Sequence, residues 1–443
     1  MTEFYPTKNV LMNKLRHMAG HQTGIIESQV LFSARPKYSP QVQICTGQMP
    51  AYHKLVLNEN VEISYHLSGY GITREESTIK LIGESIERYA LVTAPVLYAD
   101  KFIKASYNEL AERYPNEVIP FDLLNIYSEK DYEKLAKCTS LEALTKDDCI
   151  TWLRCPSLID KDQFYFIPIQ MLFIGNRDGK KEKMFVPGFS KGSASHISLE
   201  KALASAIMEA IEADAVMINW YCEREVPEII IDDLSLVQTL DEIMKRINFK
   251  IHLLDYSVNE TIGYTFVAIL ENEVDEAPKY VMGCAAGLNP TKVAYRAIME
   301  ALAILYLADN GPLVMPKDYL ENDLDLNFTN LDSNVSYWSN MIDLDKKKEL
   351  ITKIMGEKRL LSDYDNLESK DDILYILEKS QELFKYAVYF DMTPPEIKDM
   401  GHKVLRVFLP EFLQMSFPEF PYSNHPRFSL YGGVKCELPH PLP

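Results

Sequence analysis

The spacing of apolar residues predicts a buried helix that begins near residue 73. Thr73 and Glu76 form a T-x-x-E pattern, which is typical of a capping box at a helix N-terminus. Apolar positions then recur at helical spacing up to about Thr93. Pro95 is expected to stop the helix, because proline has no backbone N–H and crowds the preceding turn.

Two further helices are predicted with the same apolar character. The second begins after Ser198, a suitable N-cap, and between residues 202 and 220 it contains acidic residues but no Lys or Arg. The third has Asn289 as N-cap and Pro290 at its first helical position, and it is expected to end near Leu307. Both helices are therefore expected to lie against other parts of the chain rather than against water.

Strand-like runs alternate with these helices. They lie at residues 41–47, 61–72, 164–175, 249–255, 261–270, 280–290, 386–393 and 403–410. Two polar stretches, 103–148 and 317–384, are predicted to form surface helices, the second as a charged, solvated layer. The pattern predicts an α+β or mixed α/β protein that packs as one body.

Composition and charge narrow the class of protein. The chain of 443 residues has a formal net charge of −18, which argues against a nucleic-acid or anionic-membrane surface. No secretory signal or membrane-spanning run is visible in the sequence. Seven scattered cysteines without a C-x-x-C pair indicate reduced thiols and a cytoplasmic location.

The candidate chemistry lies in the acidic residues of the first two helices. Glu84 and Glu87 are three residues apart and so share one helix face, as do Glu209 and Glu212. Four such carboxylates facing one cleft would suit Mg²⁺ together with the phosphates of a nucleotide. The alternative is a solvated helix face, on which Glu84 pairs with Arg88, and this remains open.

The third helix and a loop add possible phosphate contacts. Arg296 and Glu300 are four residues apart, and they form either an intrahelical ion pair or a phosphate contact with its orienting carboxylate. The loop SKGSASH, which contains Ser193, could offer hydroxyls and backbone N–H groups to phosphate, or it could be an ordinary connection. The chain contains no Walker A pattern.

The chain ends in ELPHPLP, with prolines at alternate positions. Pro439, Pro441 and Pro443 favour a stiff, extended end. Two interpretations remain open: a disordered end or ligand for a proline-binding module, and a rigid arm that delivers the terminal carboxylate to a site in the chain itself.

Several segments, in this order, resemble the YcaO family of ATP-dependent peptide-backbone modifying enzymes. They are GESIERYA, ASHISLEKALASAIMEAIEADA, AAGLNPTKVAYRAIMEA, DMTPPEIKDMGHKVLRVFLP and the P-x-P-x-P end, and together they cover roughly residues 60–443. The length, N-terminus and tail look most like the standalone D proteins of azole-modified peptide clusters of the streptolysin S type. The resemblance implies an α+β fold of the YcaO type, in which several mixed sheets and long apolar helices enclose an ATP and Mg²⁺ site. It also implies one such domain over 61–443, with residues 1–60 packed on it as a strand and helix region.

The resemblance implies a role for each candidate residue. Magnesium would be bound by Glu84, Glu87, Glu209 and Glu212. The nucleotide would contact Arg296 and Glu300. Ser193, from the loop composition, and Lys80, which departs from the family pattern, are added as candidate contacts of the same nucleotide. The terminal carboxylate of Pro443 would act as a base, with Pro439 and Pro441 as its support.

The implied activity is cyclodehydration of a ribosomally made precursor peptide. A Cys, Ser or Thr side chain adds to a backbone carbonyl, ATP phosphorylates the amide oxygen, and the loss of phosphate leaves a thiazoline or oxazoline. The implied partners are an E1-like C protein that binds the leader peptide, the precursor itself, and a flavin-dependent dehydrogenase that oxidises azoline to azole. A homodimer within a larger complex would fit the family.

The sequence departs from the family pattern at several positions. Lys80 stands where Ser is frequent, Tyr70 where Lys is frequent, Ala213 where Arg is common and Ala303 where Gln is common. Lys80 could supply the charge that is missing at Tyr70. Two other interpretations therefore stay open: another ATP-dependent backbone change, such as thioamide or amidine formation, and a non-catalytic scaffold of a peptide-modifying complex.

Overall fold

The computed structural model describes residues 17–20, 24–33, 40–52, 54, 67–174, 182–258, 262–314, 328, 331–369 and 372–442. The strands are β1 Ser28–Ser33, β2 Gln43–Gln48, β3 Leu67–Gly71, β4 Phe102–Ala105, β5 Ile150–Pro156, β6 Phe164–Pro168, β7 Ser193–His196, β8 Val226–Ile230, β9 Phe249–Asp255, β10 Tyr264–Asn272, β11 Tyr280–Gly287, β12 Met355–Leu360, β13 Val388–Asp391 and β14 Lys403–Phe408. The helices are α1 Arg74–Leu97, α2 Tyr107–Arg113, α3 Glu129–Leu135, α4 Leu199–Tyr221, α5 Leu234–Met244, α6 Pro290–Val314, α7 Leu331–Ser339, α8 Leu344–Ile354, α9 Asp372–Leu383, α10 Pro395–Asp399 and α11 Pro426–Ser429.

The described strands form four sheets. A five-stranded sheet has the order β11-β10-β9-β8-β12, and three three-stranded sheets have the orders β1-β2-β3, β4-β5-β6 and β13-β14-β7. Neighbouring strands are antiparallel except for β12, which pairs with β8 in parallel. Mixed sheets and helices therefore confirm the predicted α+β character. The strand β12 is an addition to the prediction, because the charged stretch 317–384 was expected to favour helices.

The three principal helices begin where the sequence predicts. Ser198 accepts a hydrogen bond from Lys201 N at 3.3 Å, and Asn289 Oδ1 accepts one from Lys292 N at 3.1 Å, so both predicted N-caps are confirmed. At the first helix, Thr73 Oγ1 accepts from Glu76 N, while the Glu76 carboxylate accepts from Ile72 N at 3.1 Å. The carboxylate thus binds the residue before the N-cap, a variation on the predicted capping box.

The predicted ends of these helices need correction. The first helix does not stop before Pro95 but continues to Leu97 with Pro95 inside its last turn. Proline is tolerated there because few residues follow it, and Tyr98 N closes the turn on Ala94 O at 3.0 Å. The third helix continues to Val314, well past Leu307. The helices are also less apolar than expected, and among the described residues none is long and apolar enough to cross a membrane.

These three helices pack against three of the four sheets. Helix α1 packs on β2, β3 and β7, helix α4 packs on β7, β11 and β14, and helix α6 packs on β10 and β11. Two glycines permit the closest approaches. A Cβ at Gly69 would lie 1.9 Å from Ser77 O, and one at Gly283 would lie 2.3 Å from Ala301 N. The short contacts bring the acidic positions of the three helices toward one region of the molecule.

Most of the C-terminal arm, residues 436–442, is buried in the molecule, and Glu437 is its exposed position. Trp338 Nε1 donates to Pro439 O at 2.9 Å, and Asn334 Nδ2 donates to His440 O at 2.8 Å and also to Leu442 O. His440 is completely buried, and Leu442 is 2% exposed. The interpretation of this segment as a disordered end or as a free ligand is therefore wrong for residues 439–442. Pro443 lies outside the described residues.

Candidate active site

The first acidic pair is not a fully solvated helix face, although the ion pair between Glu84 and Arg88 that was predicted for such a face is present. Glu84 Oε1 lies 3.3 Å from Arg88 Nη2, which is the expected pair on one helix face. Glu84 Oε2 also accepts a hydrogen bond from Ser68 N at 3.1 Å, so it ties helix α1 to strand β3. Both side chains keep about a quarter of their surface exposed, Glu84 at 27% and Arg88 at 24%. They therefore lie partly exposed at the edge of the acidic cluster.

Glu87, one helical turn further, faces the loop before β7. Its Oε1 lies 2.6 Å from the Ser193 hydroxyl, which also donates to Ser190 O. Loss of hydration and the neighbouring Glu209 carboxylate raise the pKa of Glu87 to about 8. The hydrogen bond from Ser193 lowers the pKa of Glu87 and so opposes this rise in part, and it places Ser193 in the acidic cluster.

The second acidic pair has a basic partner that is distant in sequence. Lys191 Nζ lies 2.5 Å from Glu212 Oε1, and the Cys284 thiol lies 3.2 Å from the same oxygen. Glu212 is 4% exposed, so this carboxylate is buried on a compensating charge. Burial raises the pKa of Glu209, which is lowered in part by Lys191 and raised again by Glu212. Among the described residues, none donates a hydrogen bond to Glu209.

Arg296 and Glu300 do not form the intrahelical pair that was one of the two interpretations. Glu300 Oε2 accepts from Cys284 N at 2.6 Å, whereas Arg296 Nη1 donates to Ala286 O at 3.1 Å. Burial, opposed by Lys191 and supported by Glu212, raises the pKa of Glu300 to about 7. Both side chains are therefore fixed by strand β11, and the guanidinium keeps an exposed face.

Two of the departures from the family pattern contact each other. Lys80 Nζ lies 4.3 Å from the centre of the Tyr70 ring and 3.0 Å from Glu76 Oε1. Such a placement of an ammonium over an aromatic face is favourable. Arg296 and Glu300 both influence the pKa of Lys80, which burial lowers. Lys80 thus lies beside the positions predicted to contact a nucleotide.

Sequence reasoning missed two cations of this region. Arg406 is 1% exposed, and its guanidinium donates to the carbonyls of Ser190, Lys191 and Met171 at 2.8, 2.6 and 3.2 Å. Its Nε has no partner among the described residues. A charge inside the apolar strand run KVLRVF was the available signal for Arg406. No local pattern marked Lys191.

The cluster has more negative than positive groups. The carboxyls are Glu84, Glu87, Glu209, Glu212 and Glu300, and the cations are Arg88, Lys191, Arg296 and Arg406. Loss of hydration is the largest cause of the raised pKa values of Glu87, Glu209 and Glu300, and neighbouring carboxylates add to it. Carboxylate oxygens are also the donors that Mg²⁺ prefers. Within the described part of the chain, however, no group of three or more His, Cys, Asp and Glu side chains is arranged around one metal position. The residues suit Mg²⁺ by charge and donor type, without a preformed cage.

Ala213 and its neighbour Asp214 have separate surroundings. Ala213 and Lys191 line the same small cavity, so a positive charge is present beside the position where the family commonly has Arg. Asp214 is completely buried, accepts from Leu413 N at 2.8 Å, and pairs with Arg427 at 2.8 Å. Asp214 therefore holds the C-terminal part of the chain on helix α4. Ala303 is half-buried on helix α6.

Asp214→Asn is expected to destabilise the protein without removing any residue of the acidic cluster. Arg427 would keep its charge in a buried position, which costs about 3–5 kcal/mol in free energy of unfolding. Chemical denaturation monitored by circular dichroism measures the loss. The control is Glu382→Gln at the exposed pair with Lys379, which should cost less than about 1 kcal/mol. Equal losses in the two variants would contradict the structural role of Asp214.

The metal-free protein is expected to become less stable as the pH rises from about 4.5 to about 8. Over this range the folded state keeps protons on Glu87, whose pKa is about 8, and on Glu300, whose pKa is about 7, while the unfolded chain has released them. Unfolding then releases protons, so a higher pH favours it. In EDTA the thermal midpoint should fall by on the order of 2 °C or more. Glu87→Gln should remove part of this fall, and an unchanged pH profile in that variant would contradict the assignment.

Comparisons with known proteins identify a family whose model matches the part of the chain that contains this acidic cluster. A family model described as YcaO cyclodehydratase, ATP- and Mg²⁺-binding, matches residues 68–413. A solved heterocyclase in complex with substrate and cofactor has a TM-score of 0.72 at 18% identity, with 97% of this chain and 56% of that chain covered. YcaO from Methanopyrus kandleri, bound with AMPPCP and Mg²⁺, has a TM-score of 0.64 at 13% identity, with 93% and 92% covered. The E. coli microcin synthetase McbBCD complex with pro-MccB17 bound gives 0.63 at 13% identity, with 96% and 98% covered.

These similarities differ in what they establish. The chain spans about half the length of the heterocyclase, at 56%, and no curated protein sequence matches it. At these low identities the solved structures establish the fold alone. The family model covers most of the chain, including all three acidic helices up to and beyond Glu300. By that match, and with the fold predicted for it, the chain belongs to the YcaO family.

Proposed function

We propose that this protein is an ATP-dependent cyclodehydratase that converts Cys, Ser or Thr of a precursor peptide into thiazoline or oxazoline. The observation that carries the proposal is the cluster of carboxyls on α1, α4 and α6, in which Glu87, Glu209 and Glu300 all have raised pKa values. A stable fold seldom gathers such groups unless cations are bound among them. Membership of a family described as ATP- and Mg²⁺-binding supplies the matching ligands.

We assign the binding of the metal and of the nucleotide to residues of the acidic helices and of the loop before β7. Glu84, Glu87, Glu209 and Glu212 would hold Mg²⁺, which when bound supplies positive charge to the phosphates during phosphoryl transfer. Arg296, with an exposed guanidinium on α6, would contact phosphate oxygens, and Glu300 would fix the backbone of β11 behind it. Ser193 and Lys80 would contact the nucleotide from the loop before β7 and from α1.

The proposed reaction removes one water from the peptide at the expense of one ATP. A side-chain thiol or hydroxyl of the peptide adds to the preceding carbonyl carbon and loses its proton. The former amide oxygen attacks the γ-phosphate of ATP, and ADP leaves. The C–O bond then breaks, phosphate departs with that oxygen, and the amide N–H proton is lost as the C=N bond forms. The peptide is lighter by one water, and ATP has become ADP and phosphate.

The C-terminal arm is assigned to the same reaction. Pro439 and Pro441 would hold the end of the chain in its buried, extended course, as their burial and the Trp338 and Asn334 bonds support. Pro443 would contribute its carboxylate as a base for the proton of the attacking side chain. This role for Pro443 stays a prediction, because the residue lies outside those that the structure describes.

Partners and location follow from the proposed reaction. An E1-like C protein would present the leader peptide, and a flavin-dependent dehydrogenase would oxidise the azoline to the azole. Structural similarity to a synthetase complex and to a substrate-bound heterocyclase supports an assembly of this kind. The seven cysteines, all within the described residues, form no disulfide, and we propose a cytoplasmic location. A homodimer within the assembly is also proposed.

Reconstitution tests the proposal. The protein is combined with an E1-like partner, a leader-bearing precursor, ATP and Mg²⁺, and the peptide mass and ADP are followed together. Loss of one water per ADP formed is the expected result. A gain in mass with added sulfide would indicate thioamide formation instead. Precursor binding without ADP or a mass change would indicate a scaffold, and either outcome would contradict the proposal.

A further inference from the structure

The ammonium of Lys191 lies among the carboxylates of the acidic cluster. Its ammonium lies 2.5 Å from Glu212 Oε1, and Glu212 is 4% exposed. Glu209 and Glu300 also act on this ammonium electrostatically. Its side chain nevertheless keeps 24% of its surface exposed and lines a small cavity together with Ala213.

The loop that carries Lys191 is held from behind. Arg406 donates to both Ser190 O and Lys191 O, at 2.8 and 2.6 Å. Gly192 follows with φ of 89°, and a Cβ there would lie 2.7 Å from Val407 O, so the loop packs directly on strand β14. Lys191 is therefore presented from a fixed backbone and extends toward Glu212 from that position.

Two donors of this ammonium remain for a ligand. A lysine ammonium has three N–H groups. Among the described residues, Glu212 is the one acceptor within hydrogen-bond distance of Lys191 Nζ. The free donors, the partial exposure and the surrounding carboxylates distinguish Lys191 from a buried structural lysine. Lys347, in contrast, is completely buried and donates to Tyr337 O, Asn340 O and Asn340 Oδ1.

We propose that Lys191 is a tethered cation of the nucleotide site. It stays on Glu212 Oε1 in place of a second metal ion there, while Glu212 Oε2 remains a ligand for Mg²⁺, and it donates its remaining N–H groups to phosphate oxygens of the nucleoside triphosphate. The inference rests on the proposed function, since it places ATP and Mg²⁺ at this cluster. It makes Lys191 a positioning and binding residue that reduces the number of metal ions taken up with each nucleotide.

The charge on Lys191 can be removed without changing the helices. Lys191→Met and Lys191→Gln are both neutral, and Gln can still donate a hydrogen bond to Glu212 if the Met variant folds poorly. Lys191→Arg keeps the charge. The matched control is Lys201→Met, because Lys201 is an exposed lysine at the start of the same helix that carries Glu212.

Calorimetric titration of ATP at a series of Mg²⁺ concentrations is the test. The slope of log affinity against log Mg²⁺ concentration counts the ions taken up with each nucleotide, and it should rise by about one in both neutral variants. It should be unchanged in Lys191→Arg and Lys201→Met. In addition, Mg²⁺ alone should raise the thermal midpoint of the neutral variants more than that of the wild type, because an extra ion then binds at Glu212.

The outcomes separate this inference from the proposed function. ATP binding by all variants with one common slope, and equal stabilisation by Mg²⁺, would overturn the role of Lys191 while leaving the nucleotide site in place. A wild-type protein that binds no ATP at any Mg²⁺ concentration would overturn the proposed function and, with it, the inference. A slope that rises in the neutral variants alone would support both.

Discussion

Glu209→Gln is expected to reduce ATP-dependent loss of water from the precursor by roughly 1,000-fold. Glu209 couples the two acidic pairs electrostatically. Its charge raises the pKa of Glu87 in the first pair, while Glu212 and Lys191 influence the pKa of Glu209 itself. Glutamine has nearly the same size as glutamate, but it lacks the negative charge that would bind the metal ion. Mass spectrometry of the peptide with all partners present measures the rate.

The same substitution has an opposite effect on stability, which separates function from folding. Removing one carboxylate from an over-acidic cluster should leave the thermal midpoint of the metal-free protein unchanged or raise it, because Glu87 then loses a repelling neighbour. Glu200→Gln is the matched control, since Glu200 is an exposed glutamate in the first turn of the same helix. Wild-type turnover in Glu209→Gln, or a loss of activity that follows a loss of folding, would argue against the assignment.

Deletion of residues 439–443 is expected to have the second-largest effect, on both stability and turnover. The deletion removes the buried contacts of Trp338 with Pro439 O and of Asn334 with His440 O, together with the bond between His440 Nε2 and Ser416 O at 2.9 Å. With the burial of Leu442, these contacts amount to on the order of 5 kcal/mol of unfolding free energy. Chemical denaturation and the peptide dehydration assay measure the two losses.

Two further variants show how the arm acts. Leu442→Ala should cost about 2–3 kcal/mol and retain the extended course of the arm. Glu437→Gln, at an exposed position in the same arm, should behave as wild type. The proposed role requires that the truncated protein, under conditions in which it is folded, binds ATP but no longer removes water from the peptide. Wild-type turnover after the deletion would rule out a role for the arm.

Local sequence patterns predicted the parts of the site that depend on neighbouring residues. The N-caps Ser198 and Asn289 were predictable because capping is decided within one helical turn. The shared face of Glu209 and Glu212 follows from helical periodicity alone. Helix ends were less predictable, as Pro95 shows, because packing of the last turn outweighs the local preference for a stop.

Contacts between distant parts of the chain could not be predicted in this way. Lys191 meets Glu212 across a loop and a strand, and Cys284 reaches Glu212 and Glu300 from strand β11. These pairings depend on how α4, α6 and β11 pack against one another, and no short sequence pattern predicts that packing. The Arg296–Glu300 pair, one of the two interpretations left open, does not form for the same reason, since strand β11 supplies each side chain with a nearer partner.

The most direct test of the account follows one oxygen atom. A precursor labelled with oxygen-18 at the backbone carbonyl before a cyclised residue is incubated with the protein, its partners, ATP and Mg²⁺, and the phosphate released is analysed by mass spectrometry. The account predicts that the label leaves the peptide and appears in phosphate, one label for each ADP. Label that appears in water, or remains in a peptide of unchanged mass while ATP is hydrolysed, would contradict phosphorylation of the amide oxygen.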